Sequence, residues 1–244
     1  MGGTSDETRI IQALEHGEIT LRGEMLFGSN DTFLVQVHYR DEDIPAVYKP
    51  TRGEQPLWDF PPGTLALREV AAYVVSQALG WELVPPTIYR RKGPLGKGSL
   101  QFFIAHDPEY HYFTFTPEDR QRLRPVALFD ILVNNADRKG GHILFDHDHH
   151  LWLIDHGICF HVEDKLRTVV WDFAGEPIPP PYADDIERFV SALERRSAPW
   201  VATLEALLST AEIQALLRRA QRLLRGGCFP RPPTGRRYYP WPPV

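Results

Sequence analysis

Apolar residues alternate with polar ones through the first part of the chain and recur every third or fourth residue through the last part, so a change of element type is written into the pattern. From Glu18 to Pro50 the runs EITLRGEML, TFLVQVHYR and AVYKP are parted by FGSND and DEDIP, both rich in turn residues, which predicts three antiparallel strands. Ahead of them, Ser5 can cap a short helix with Ile10, Ile11 and Leu14 on one face and Gly17 past its end, a small appendage over 1–17. After the Pro-rich PLWDFPPG, the stretch LALREVAAYVVSQALG sets Leu67, Val70, Ala71, Val74, Val75, Ala78 and Leu79 at helical spacing and stops at Gly80. TIYRR and SLQFFIAH follow as strands joined by KGPLGKG. These elements define a β-rich unit with one helix over 18–106.

The second half reads differently. TPEDRQRL opens with Thr116 as cap, Pro117 in the first turn and two acids behind it, and Pro125 breaks or kinks the helix before VALFDILVNNA. HILFD and LWLIDHG form a short strand pair around HDHH, which is read as a polar turn without chemistry because four near-adjacent turn residues do not converge on one ion. DDIERFVSALERR, VATLEALLS and STAEIQALLRRAQRLL are amphipathic helices, the last with a Ser209/Glu212 capping box. This helical unit spans 107–225, and GGCFPRPPTGRRYYPWPPV over 226–244 is too Pro-rich for a core element, so it is expected to lie extended on the surface and to offer a docking segment for a protein partner.

Composition narrows the function. A chain of 244 residues, 43% of them hydrophobic, can bury one large core or two small lobes. A net charge of -5 argues against nucleic acid as partner, since phosphate-backbone binding needs a basic face. The two cysteines, Cys159 and Cys228, provide no disulfide framework and point to a reducing cytoplasm. The first residues lack the basic and apolar regions of a signal peptide, and no run approaches the roughly 18 apolar residues of a membrane span.

Phosphoryl transfer from ATP needs a turn over the phosphates, a strand lysine, a helix glutamate to hold it, an aspartate at the acceptor hydroxyl and a second on Mg²⁺. FGSNDTF, Lys49 in AVYK, Glu69 on the first long helix, Asp137 in NNADRKGGH and Asp155 in LWLIDHG occur in that order. Each alone has a bland reading: a hairpin turn, a solvated strand end, an exposed helix pair of Glu69 with Arg68, a helix end with a Gly-Gly turn. A carboxylate between the apolar runs around Asp155, however, needs a counter-ion.

Together AVYKPTRGEQP, REVAAYVVSQALGWELVPPT, GSLQFF, DILVNNADRKGGH and LWLIDHGICF resemble the type II phosphatidylinositol 4-kinases and, more distantly, the wider lipid-kinase-like group with the HipA-type kinases. The resemblance runs from about Gly28 to Phe160. It implies an α+β, bilobal atypical kinase fold with ATP and Mg²⁺, or Mn²⁺ in its place, in the interlobe cleft. Ser29 and Asn30 would cover the phosphates, the backbone around Phe103 and Ile104 would meet adenine, and Lys49 and Glu69 would pair. It also implies that Asp137 meets the acceptor, Arg138 buttresses the loop, Lys139 offsets phosphate charge, and Asp155 holds the metal. Two substitutions depart from the pattern. His142 stands where such kinases place a metal-binding asparagine, and His156 follows Asp155 where the lipid kinases usually carry asparagine. The interval TRGEQPLWDFPPGTLAL also lacks the cysteine-rich membrane tether of the type II enzymes, and the Trp58/Phe60 pair offers only weak interfacial binding. The expected function is therefore a kinase for a protein or small-molecule hydroxyl in preference to a phosphoinositide. A nucleotide-binding pseudokinase serving as an interaction module is the alternative, with His142 as the residue that divides them.

Overall fold

The computed structural model describes residues 3–25 and 31–244. Three strands, β1 (Glu18–Met25), β2 (Thr32–Tyr39) and β3 (Glu42–Pro50), pair antiparallel in sequence order, and β4 (Thr87–Arg90) and β5 (Gly98–Phe102) complete a sheet ordered β1-β2-β3-β5-β4. Side chains alternate across a strand, and the alternation here decides two environments. Ile44, Ala46 and Tyr48 of β3, opposite Val37, Val35 and Phe33 of β2, share one face with Ile88 and Leu100. Helix α1 (Gly3–His16) covers that face through Ala13 and Leu14, both wholly buried. Burying a leucine in this way contributes about 1.5–3 kcal/mol. The intervening β3 residues, Val47 and Lys49, necessarily point to the other face, where the cleft lies.

Helix α1 is thus part of the sheet lobe rather than an appendage, and it begins at Gly3, so Ser5 lies inside its first turn. DEDIP is likewise not a turn: Asp43 to Pro45 belong to β3. Pro45 is tolerated because it precedes Ala46, where pairing with β5 begins, and its carbonyl accepts from the Phe103 amide at 3.1 Å.

Helix α2 (Leu65–Leu79) ends on Gly80 with φ 71°, the left-handed cap that glycine adopts without strain. Its Ala71, Val74, Val75 and Leu79 join one large core with the helices of the second lobe. These are α3 (Pro117–Gln121), α4 (Arg124–Val133), α5 (Pro180–Arg195), α6 (Pro199–Leu207) and α7 (Thr210–Gly226). Thr116 caps α3 by accepting from the Asp119 amide, the Ser209/Glu212 box caps α7, and Pro125 sits in the first turn of α4, where a missing N–H costs nothing. A two-stranded hairpin, β6 (Ile143–Phe145) with β7 (Leu151–Leu153), joins the same core. The architecture is the α+β bilobal one expected. The Pro-rich segment after α7 is not free on the surface: Phe229 is buried and its backbone bonds to Gly175 and Glu176.

Gly98 lies across from Pro50 in the β3–β5 register, and a Cβ there would stand 2.3 Å from the Lys49 carbonyl and 2.8 Å from Pro50 Cα. Both are backbone atoms and cannot rotate away. Gly98→Ala is therefore expected to destabilise the fold by about 1–3 kcal/mol, a loss of several degrees in thermal midpoint readable by circular dichroism. An unchanged midpoint would show that the strands part there freely.

Candidate functional site

Lys49 leaves β3 on the cleft face and meets two carboxylates. Its Nζ donates to Glu69 Oε1 of α2 at 2.5 Å and to Asp155 Oδ1, just after β7, at 3.0 Å. Side-chain exposure rises from Glu69 through Lys49 to Asp155, at 3%, 24% and 49%, so a ligand can reach the last two but not the first. Burial works against the ammonium, yet Asp155 and Glu69 more than offset it and hold Lys49 above the usual lysine range. Lys49 in turn holds Asp155 well below the usual carboxylate range. Asp155 also adopts φ 60°, a left-handed conformation that aspartate tolerates better than most residues and that recurs at functional sites.

The loop between α4 and β6 is organised by its own polar residues. Asn134 caps α4 with φ 55°, and its side chain reaches the carbonyls of His161 and Glu163 and the amide of Lys165. Asn135 Oδ1 accepts from the Asp137 amide at 2.9 Å and so sets the turn that presents Asp137. Arg138 lies wholly buried beneath the loop. Its guanidinium donates to Asp130 Oδ1 at 3.0 Å, to Ile154 O at 2.6 Å and to His142 O at 3.3 Å, tying α4, the loop and the end of β7 together. The remaining arm lies 2.7 Å from His156 Nε2. A guanidinium only donates, so Nε2 must accept, and the proton of the neutral ring belongs on Nδ1, 3.9 Å from Glu69 Oε2. Burial and Arg138 both keep that ring uncharged. His156 is therefore a packed support rather than a residue facing a ligand.

Above this layer, His142 Nε2 lies 3.4 Å from Asp155 Oδ2, and Lys139 Nζ lies 3.8 Å from Asp137 Oδ2. Burial, with some repulsion from Asp155, pushes the Asp137 carboxyl above the ordinary aspartate range. Among the described residues no three His, Cys, Asp or Glu side chains converge as a ready metal cage. Asp155 and His142 supply one oxygen and one neutral nitrogen, a pair suited to an ion that takes its other ligands from phosphate and water. The nitrogen favours Mn²⁺ over Mg²⁺.

A cavity of about 500 Å³ opens in front of Lys49, His142 and Asp155, with Val47, Leu65, Phe103 and Leu144 also in its wall, whereas Asp137 and Lys139 are not among its lining residues. Phe103 and Ile104 line it, but the Phe103 amide is spent on Pro45 O and Ile104 O accepts from the His106 ring at 2.9 Å. Ser29 and Asn30 lie outside the described residues. Two contributors had no signal in the sequence. Val244 reaches the cavity wall, and the Pro243 carbonyl accepts from the Gly140 amide at 2.7 Å, so the C-terminal segment touches the loop that carries Asp137. Nothing in a Pro-rich string states where it folds back. Trp58 and Phe60 do not act as a pair: Trp58 is 91% exposed, whereas Phe60 is buried under the Arg68 guanidinium at 4.8 Å.

Residues 64–224 match the family model for phosphatidylinositol 3- and 4-kinase. Protein Rv2133c of Mycobacterium tuberculosis is 42% identical, with 94% of this chain and 93% of that protein aligned. Phosphatidylinositol 4-kinase gamma 4 of Oryza sativa is 34% identical over 48% of this chain, and that of Arabidopsis thaliana 27% over 68%. The chain covers only 25% and 33% of those two plant proteins. Among solved structures, the Golgi casein kinase aligns with a TM-score of 0.59 at 14% identity, over 92% of this chain and 75% of that one. The Helicobacter pylori proinflammatory kinase CtkA aligns with a TM-score of 0.53 at 10% identity, over 88% and 94%. At such identities the likeness is one of fold.

Burial lowers the His142 pKa from the ordinary 6.5 to about 4. Across that window the unfolded chain binds a proton that the folded chain refuses, so stability falls as pH drops from 6.5 toward 4 and is highest above it. His142→Asn removes this contribution while His156 retains its own. The variant should lose less stability than the parent between about pH 7 and about pH 5 in urea unfolding; equal losses would mean His142 titrates normally.

Proposed function

The chain belongs to the phosphatidylinositol 3- and 4-kinase family, and from that premise we propose that it transfers phosphate from ATP to a hydroxyl acceptor, with Mg²⁺ or Mn²⁺. The observation that carries this reading is the placing of Lys49 between Glu69 and Asp155 at the wall of the cavity, with His142 also in that wall and Asp137 earlier on the same loop.

Each side chain then has a task. Lys49, held protonated by Asp155 and Glu69 and oriented by the buried Glu69, binds phosphate oxygens. Asp155 and His142 would hold the divalent ion, which when bound would supply charge neutralisation for the phosphates. Asp137, with its carboxyl pKa raised by burial, takes the proton of the acceptor hydroxyl as that oxygen bonds to the terminal phosphorus and the bond to ADP breaks. Lys139, beside it, offsets charge on the transferred group. Arg138 supports the loop from below without touching the reacting atoms. At the far wall, adenine would need either the remaining backbone groups of Phe103 and Ile104 or displacement of the His106 ring from Ile104 O.

Acceptors that carry their hydroxyl on a protein or small molecule fit better than a phosphoinositide, because Phe60 is buried and Trp58 alone of that pair is available to a bilayer. The paired burial and exposure of Cys159 and Cys228, both free thiols, suits work in the cytoplasm. A pseudokinase is the second reading, favoured by His142 at the metal position and by the His106 ring on Ile104 O.

Asp155→Ala should weaken Mg-ATP binding itself. Asp137→Ala should bind Mg-ATP nearly as well as the parent and transfer phosphate at a rate lower by roughly 10²-fold or more. Calorimetry and radiolabel transfer separate the two effects. If the parent binds nucleotide without turnover and Asp137→Ala changes neither quantity, the pseudokinase reading stands.

A further inference from the structure

Glu69 is not the only residue of α2 that grips the segment after β7. Its Oε2 accepts from the His156 amide at 2.9 Å, while the adjacent Arg68 donates from Nη1 to the Cys159 carbonyl at 2.7 Å. Between the two bonds lies Gly157, where a Cβ would stand 3.6 Å from Glu69 Oε1 and from Leu65 Cβ. The segment is bounded by Asp155 and Phe160, with φ 60° and 66°, so neither end is in a conformation its residue would choose unaided. Something must hold it.

Arg68 is suited to do so. It is 2% exposed, so its charge requires a partner, and its other terminal nitrogen pairs with Glu212 in the first turn of α7. Glu212 is itself fixed by the α7 cap, accepting from the Ser209 amide at 2.8 Å and the Ser209 hydroxyl at 2.7 Å. The Phe60 ring lies 4.8 Å from the guanidinium carbon. One planar fork thus joins α2, the Asp155 segment and α7, a geometry that a lysine ammonium cannot span.

We propose that Arg68 is a positioning residue. It clamps α2 and the Asp155 segment to the helical lobe, so that the Lys49–Glu69–Asp155 contact is closed before any nucleotide arrives and α2 has no open position from which to be recruited. The consequence for catalysis rests on the kinase reading, but the clamp itself does not.

Hydrogen exchange on the full chain without nucleotide tests the clamp directly. Arg68→Lys should speed exchange of the His156 amide at least about tenfold, with amides in the middle of α4 and α5 unchanged. Glu212→Gln, which keeps the guanidinium and weakens only its anchor, should do the same to a smaller degree and carries the test if Arg68→Lys does not fold. An unchanged His156 amide in a folded variant, or a uniform rise across all amides, would overturn the proposal, the latter making Arg68 a source of general stability alone. With Mg-ATP, the same variants should raise KM more than they lower kcat, because the phosphate and metal groups are displaced while Asp137 is not. A parent without turnover would remove the kinase reading and leave the exchange result to decide the clamp.

Discussion

One ammonium group holds the site together. Lys49 comes from the sheet lobe, Glu69 from a helix packed into the other lobe, and Asp155 from the end of a hairpin, and the Lys49 ammonium hydrogen-bonds to both carboxylates at one place. Glu69, only 3% exposed, pairs with that ammonium, and the same cation is the chief reason the Asp155 carboxyl lies well below the usual carboxylate range. The lobes are thus joined by a charge arrangement that becomes wetter toward its outer end. That outer end is where a ligand can exchange contacts with it.

A second buried cation organises the opposite wall. Arg138 satisfies Asp130 and the Ile154 carbonyl together, so the loop carrying Asp137 and the hairpin end carrying Asp155 keep a fixed separation. A buried pair of this kind adds little net stability over an apolar substitute, but breaking one partner is costly, which makes the geometry hard to distort. His142 and His156, both kept neutral chiefly by burial, divide the remaining work: one faces Asp155, the other accepts from Arg138 underneath.

Local pattern made much of this legible. Period-two alternation in AVYKP already placed Lys49 on the face opposite Ala46 and Tyr48, and the helical spacing in LALREVAAYVV put Glu69 within one turn of the helix start. The order of the acids along the chain and the family resemblance then pointed to the cleft. What could not be read was long-range. α1 looked like an appendage because Ile10, Ile11 and Leu14 show a helical face without showing which sheet it meets. Pro-rich 226–244 could be read as extended on the surface but not assigned a contact, because the bond from Gly140 to Pro243 joins residues about a hundred positions apart in sequence. Arg68 looked like an exposed neighbour of Glu69, since no local rule announces a guanidinium buried against α7.

Under the proposed function, Lys49 serves a bound nucleotide rather than the fold alone. Titrating Mn²⁺ with ADP into the protein and following water-proton relaxation reports an ion held at the site. The parent should enhance relaxation only when nucleotide and metal are both present, and Lys49→Met should weaken that ternary complex by at least about tenfold while its far-ultraviolet circular dichroism stays that of the parent. A parent that shows no enhancement up to millimolar nucleotide, or a Lys49→Met variant that binds as tightly as the parent, would contradict it.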